Sequence, residues 1–176
     1  MRVYFVRHGE SEANTRHVIS NRESSFHLTS LGQQQAQTLA SGLRDIPFRA
    51  VFCSPVLRAR ETANILSASL NIPCQVTEAL REYDCGILEE KSDDESWKLH
   101  RYYFNEWMSY RNYESAPEGD LLLVGHGGLF LLMLPLILMN IENRFVREHG
   151  IGHTECIVAE STMDGFICRQ WGDVQF

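Results

Sequence analysis

Residues 121–139 read LLLVGHGGLFLLMLPLILM, and the class of the protein turns on what this stretch is. It is the most apolar part of the chain, but His126 and the glycines around it interrupt it, and Pro135 falls further along. The longest run free of polar residues and glycine, Leu129 to Met139, has eleven residues, where a bilayer crossing takes about 20. The stretch is therefore a buried core segment. Leu121 to Val124 reads as an all-apolar strand, the kind enclosed on both faces of a parallel sheet. After the Gly125-His126-Gly127-Gly128 turn an apolar helix is expected from about Leu129.

Working outward, the same alternation appears upstream. Val3 to Val6 is β-rich and runs straight into Arg7-His8-Gly9-Glu10-Ser11, where polarity changes abruptly. Thr29 can cap a helix whose apolar positions Leu31, Ala36, Leu39, Ala40 and Leu43 recur at helical spacing until Pro47. Ala50 to Cys53 reads as a strand, Arg58 to Leu70 as a helix and Pro73 to Val76 as a short strand. A further helix is expected over roughly Glu95 to Arg111. Two late strands, Cys156 to Glu160 and Phe166 to Trp171, flank a turn at Met163-Asp164-Gly165. Strand and helix in alternation make an α/β domain. Ligands of open α/β sheets bind beyond the carboxyl ends of strands. Arg7-His8, Ser54 to Arg58 and Gly125-His126 are all expected at such ends.

Composition limits the rest. The chain of 176 residues is 44% hydrophobic and 22% charged, ordinary for one globular domain. Sixteen basic against 23 acidic residues leave a net charge of -7, which argues against a nucleic-acid or anionic-membrane surface. The five cysteines are scattered and form no C-x-x-C pair, so a reduced, cytoplasmic setting is expected. Arg7 and His8 come too early for the apolar region of a signal peptide. His149 and His153 are four apart, but Gly150 and Gly152 speak against a ligand-presenting helix and a metal site there. His17, His27 and His100 read as surface groups.

Two histidines and two arginines at strand-end loops make a cationic pocket in an acidic protein. Arginine presents a planar fork to phosphate or carboxylate oxygens, and a neutral imidazole can attack phosphorus to give a covalent intermediate. The residues alone thus point to an anion-binding, phosphate-handling pocket.

Five stretches then resemble, in order, the motifs of the histidine phosphatase superfamily, which includes the cofactor-dependent phosphoglycerate mutases. They are Arg7-His8-Gly9-Glu10-Ser11 with Asn14; Leu28-Thr29 through Gly32 to Gln35-Ala36; Ser54-Pro55 through Arg58-Ala59 to Thr62; Leu80 through Glu82 to Gly86; and Val124-Gly125-His126-Gly127-Gly128. The resemblance implies a three-layer α/β/α sandwich with a mostly parallel central sheet, a single catalytic domain over residues 1–176. It implies a phosphoric monoester hydrolase acting on a small phosphorylated metabolite. His8 would be the nucleophile, Arg7, Arg58 and His126 the clamp on the phosphoryl oxygens, and Glu82 the proton donor and acceptor. By the same analogy Asn14, Ser20, Asn21 and Gly127 would bind substrate, with no metal and no other cofactor. Phosphoglycerate mutase-type transfer, or phosphate-ligand binding without turnover, stand as alternatives.

The chain departs from the family near residues 119–121. Asp120 follows Pro117-Glu118-Gly119 and leads at once into Leu121, where relatives usually carry a further helical segment. Seven of the aromatics, from Trp97 to Tyr113, crowd into 17 residues. They read as an amphipathic helix docking Trp97, Phe104, Trp107 and Met108 on the core, with an aromatic lid over the pocket as the alternative.

Overall fold

The computed structural model describes residues 1–22, 25–106 and 120–176, the stretch 103–106 by its backbone alone. In chain order the elements are β1 (Arg2–Arg7), α1 (Glu12–Thr15), α2 (Ser30–Gly42), β2 (Phe48–Cys53), α3 (Leu57–Leu70) and β3 (Cys74–Val76). Two 3-10 turns, Glu78–Leu80 and Gly86–Leu88, lead to α4 (Asp94–Glu106). Then come β4 (Asp120–Gly125), α5 (Gly127–Ile137), α6 (Asn143–His149), β5 (Cys156–Ser161), β6 (Phe166–Trp171) and β7 (Val174–Gln175). The later part of the aromatic segment, with Trp107 and Met108, and Pro117-Glu118-Gly119 lie outside the described residues. No helix among the described residues is long and apolar enough to cross a membrane.

The strands form one seven-stranded sheet in the order β3-β2-β4-β1-β5-β6-β7. β3, β2, β4 and β1 run parallel, and β5, β6 and β7 extend the sheet antiparallel from β1. Side chains alternate across the pleat, so the apolar runs of β1 and β4 feed two cores. Val3, Phe5 and Leu121 pack with Phe130 and Leu134 of α5 and Val146 of α6. Tyr4, Val6, Leu122 and Val124 pack with Ala40 of α2 and Ala63 and Leu66 of α3. This is the expected three-layer sandwich.

The expected elements are present with shifted ends. Thr29 caps α2, its hydroxyl accepting from the Gly32 N–H at 3.0 Å. α5 starts at Gly127 rather than Leu129, with His126 as its extended N-cap residue. Glycine is a poor helix former, but here the N–H groups of the first turn have a partner outside the helix, described below. The short α1, α6 and β7 carry too little pattern to be read from sequence.

Parallel register delivers the strand-end residues to one edge. Arg7 pairs with Gly125 and Cys53 with Val124. The ladder continues past the strands: the His8 N–H donates to the Gly125 carbonyl and the Ser54 N–H to the Val124 carbonyl, each at 3.0 Å. On its other side the loop after His8 lies against α2, so closely that Gly9 and Gly32 leave no room for a side chain between them. A Cβ at Gly32 would stand inside the contact distance of the Glu10 carbonyl. Gly32→Ala is therefore expected to lower stability by about 1–3 kcal/mol. Gly42→Ala, at the open end of the same helix, is expected to be neutral or stabilising by up to about 1 kcal/mol. Urea midpoints of the two variants check the contrast.

Candidate active site

His8 follows the last residue of β1 and is 3% exposed. Its Nδ1 lies 2.7 Å from the Gly9 carbonyl, which can only accept, so the proton sits on Nδ1. The lone pair of Nε2 receives the Arg58 Nε–H at 2.9 Å. Arg58 comes from the first turn of α3 and is 4% exposed. Its Nη2 donates to Nδ1 of His126 at 3.2 Å, and Nε2 of His126 donates to the Ser54 hydroxyl at 2.8 Å. One turn along α3, the Thr62 hydroxyl donates to the Arg58 carbonyl at 2.8 Å and accepts the Gly9 N–H at 3.1 Å. The chain Gly9–His8–Arg58–His126–Ser54 thus joins the ends of three neighbouring strands.

Burial and then Arg58 push both imidazoles well below their ordinary 6.5, with Arg7 acting in the same direction. They are neutral at neutral pH, and the Nε2 lone pair of His8 faces the Arg58 N–H rather than carrying a proton. Burial also lowers Arg58, to about 10, which leaves it a cation. Arg7 is lowered by burial and held up by Glu82 and Glu155. Its Nη1 donates to the Ile151 carbonyl at 2.9 Å, while its buried Nε has no partner in the protein.

Glu82 stands across the pocket at the amino end of α5. Its carboxyl accepts the Gly128 N–H at 3.1 Å and the Tyr83 N–H at 3.4 Å. The Gly128 N–H lies in the first turn of α5, and this partner is what makes an early helix start worthwhile. Gly128 also has to lack a side chain, since a Cβ there would meet the Tyr83 ring at 2.5 Å and both Glu82 carboxyl oxygens at 3.0 Å. Glu82 is 8% exposed. Burial pushes it up to about 7, against the opposing pull of Arg58 and of the N–H groups of Tyr83, Leu129 and Gly128. A carboxyl in that range exchanges a proton at neutral pH.

These groups line a cavity of about 290 Å³. Arg7, His8, Arg58, Glu82, Asn14, Ser20, Asn21 and Gly127 all face it, and His126 sits behind Arg58. Asn14 spends its Oδ1 on the N–H and hydroxyl of Ser11, at 2.9 and 2.8 Å. Asn21 is tied by its N–H to Glu89 and by its side-chain amide to the Cys85 sulfur, each at 2.9 Å.

The far wall was not legible residue by residue. Tyr83, Trp97, His100 and Arg101 form it. Trp97 is on this wall rather than in the core, its Nε1 donating to the His17 carbonyl at 2.8 Å. His100 is half-buried rather than a surface group and meets the Tyr83 hydroxyl at 2.7 Å. The aromatic density of the segment was the available signal. His153 was missed too: its ring centroid lies 5.8 Å from that of His8.

Comparison with known proteins shows what the chain is similar to. The family model of the histidine phosphatase superfamily (branch 1) matches residues 3–120. The adenosylcobalamin/alpha-ribazole phosphatase of Salmonella typhimurium is 40% identical over 89 residues, 51% of this chain and 44% of that protein. A probable phosphoglycerate mutase of Escherichia fergusonii is 30% identical over 123 residues, 70% of this chain and 57% of that one. The matched stretches thus span about half the length of these curated relatives. A mycobacterial glucosyl-3-phosphoglycerate phosphatase shares the fold, with a TM-score of 0.80 at 18% identity over 98% of this chain and 99% of that one.

Holding the Glu82 proton has a stability consequence. Between the ordinary value of 4.5 and about 7 the folded protein keeps a proton that the unfolded chain has released. Stability is therefore lost as pH rises through that window and stays level above it. Glu82→Gln removes the loss. The variant is expected to gain on the wild type as pH rises from 5 to 8, by on the order of 3 kcal/mol at the end. Urea unfolding at several pH values measures the gap, and a gap that does not change with pH would contradict the Glu82 assignment.

Proposed function

The chain belongs to the histidine phosphatase superfamily (branch 1), and we propose that it is a phosphomonoesterase that hydrolyses a small phosphorylated metabolite through a phosphohistidine at His8, with no metal ion. The observation that carries this reading is the neutral, buried His8 whose Nε2 lone pair meets the Arg58 guanidinium at 2.9 Å. An unprotonated imidazole nitrogen held among fixed cations suits attack on an anionic phosphoryl group once substrate oxygens take over the Arg58 N–H.

Substrate phosphoryl oxygens replace His8 as acceptors of the Arg58 N–H groups, freeing the lone pair. Nε2 attacks phosphorus, the bond to the ester oxygen breaks, and protonated Glu82 gives its proton to that oxygen. The alcohol leaves. Water then attacks the phosphohistidine and passes a proton to the Glu82 carboxylate, and the P–N electron pair returns to Nε2 as inorganic phosphate departs. Arg7 and Arg58 hold the charge on the equatorial oxygens through both steps, with His126 bracing Arg58 from behind, and that charge stabilisation is where most of the catalysis of phosphoryl transfer lies. The Gly9 carbonyl supports the Nδ1–H as the ring gains positive charge. Asn14, with its Oδ1 occupied, offers Nδ2 to a phosphoryl oxygen. Ser20, Asn21 and Gly127 border the rest of the substrate.

Hydrolysis of p-nitrophenyl phosphate is expected to persist in excess chelator and to fall by at least about 10³-fold in His8→Ala. Acid-labile, alkali-stable phosphoenzyme should be trapped from the wild type alone. Activity that needs a metal, or that survives loss of His8, would overturn the proposal; phosphate returned to an added hydroxy acid instead of water would make the protein a mutase.

The proton on Glu82 sets the alkaline limb. With Glu82 near 7, turnover of alkyl phosphates is expected to fall about tenfold per pH unit above neutrality. The acid limb lies well below 6.5, since His8 stays neutral there. Glu82→Gln is expected to cost alkyl esters about 10²–10⁴ in rate and p-nitrophenyl phosphate much less, because its phenolate leaves without a proton. A pH–rate profile on both substrate types checks this.

A further inference from the structure

Two buried side-chain nitrogens among the described residues have no hydrogen-bond partner in the protein: Nε of Arg7 and Nε2 of His153. Leaving a buried donor unpaired is costly, and such atoms are rare in folded proteins. Both belong to residues around His8. Arg7 precedes it in sequence, and the His153 ring lies 5.8 Å from it, tilted by 45°.

His153 is also held firmly in place. It sits in the turn between α6 and β5, and that turn is tied to Arg7 on both sides of it. The Arg7 Nη1 donates to the Ile151 carbonyl at 2.9 Å, and the Thr154 N–H donates to the Arg7 carbonyl at 3.0 Å. Burial, Arg7 and Arg58 lower its ring to about 4 against the attraction of Glu10, so the imidazole is neutral and carries one N–H. An Nε2 held beside the nucleophile by a turn tied to Arg7, and without a partner inside the protein, matches in its Nε2–H tautomer an anion that arrives with the substrate.

We propose that His153 is a further ligand of the transferred phosphoryl group, its Nε2–H and the Nε–H of Arg7 donating to phosphoryl oxygens seated at His8. The site then has three imidazoles in distinct roles: His8 to attack, His126 to brace Arg58, and His153 to hold the oxygens from the Arg7 side. The inference rests on the phosphohistidine reading above.

The test uses inorganic phosphate as the probe, with binding followed by calorimetry and by competitive inhibition of p-nitrophenyl phosphate hydrolysis. His153→Leu removes the donor, and His153→Gln keeps an amide N–H at comparable reach. Phosphate affinity is expected to fall by about 10- to 100-fold in His153→Leu, the range for one hydrogen bond to a charged group, and to recover most of that loss in His153→Gln. In the wild type, the His153 side-chain nitrogen resonances are expected to shift on saturation with phosphate, a readout that needs no variant to fold. Unchanged affinity in His153→Leu, an equal loss in both variants, or a His153 resonance indifferent to phosphate would each overturn the inference while leaving wild-type turnover intact. A wild type that neither hydrolyses the ester nor binds phosphate would instead remove the phosphatase reading, and this inference with it.

Discussion

A guanidinium that is 4% exposed has to find acceptors inside the protein, and Arg58 finds two imidazole nitrogens. That choice sets the rest of the site. Arginine only donates, so both histidines must turn a lone pair toward it and send their protons elsewhere, His8 to the Gly9 carbonyl and His126 to the Ser54 hydroxyl. Both imidazoles are neutral acceptors, and the buried guanidinium beside them disfavours a proton on either ring and suits an anion in the pocket. The unprotonated state of His8 and the pocket's suitability for an anion have one electrostatic cause.

Glu82 completes this arrangement because it is set apart from it. Its carboxyl accepts from the N–H of Gly128 in the first turn of α5 and from that of its chain neighbour Tyr83. Burial then outweighs attraction, and the carboxyl is held near neutrality. Moved against Arg58, the same residue would be a plain carboxylate with no proton to give. Gly128 is the local condition for this separation, since it lets the Tyr83 ring and the Glu82 carboxyl share the space above the helix terminus.

Such a site is unfavourable for folding: buried cations, unpartnered nitrogens and a desolvated carboxyl all count against it. The two apolar cores on either face of the sheet supply the offset. Leu122, Val124, Leu66 and Val6 on one side, and Phe130, Leu134 and Ile157 on the other, are fully enclosed. The strands that provide this burial are the ones whose ends carry His8 and His126. Apolar interior and polar edge are consecutive stretches of the same chain, so the site cannot drift relative to the core.

The sequence by itself determined the layers, the order of most elements and the identity of the groups at the strand ends. Those features depend on local pattern: an all-apolar run such as Leu121 to Val124, a cap such as Thr29, a histidine between glycines. It left out the elements too short to carry a pattern, α1, α6 and β7, and it placed the start of α5 two residues late because glycine propensity says nothing about a distant carboxyl. Only the tertiary structure decided which way the His8 and His126 rings face, that burial raises the Glu82 carboxyl, that Trp97 and His100 line the pocket, and that His153 lies beside His8. The reason is physical. Hydrogen-bond direction, desolvation and ring contact are set by atoms tens of residues apart in the chain, and those separations close only when the parallel strands come into register.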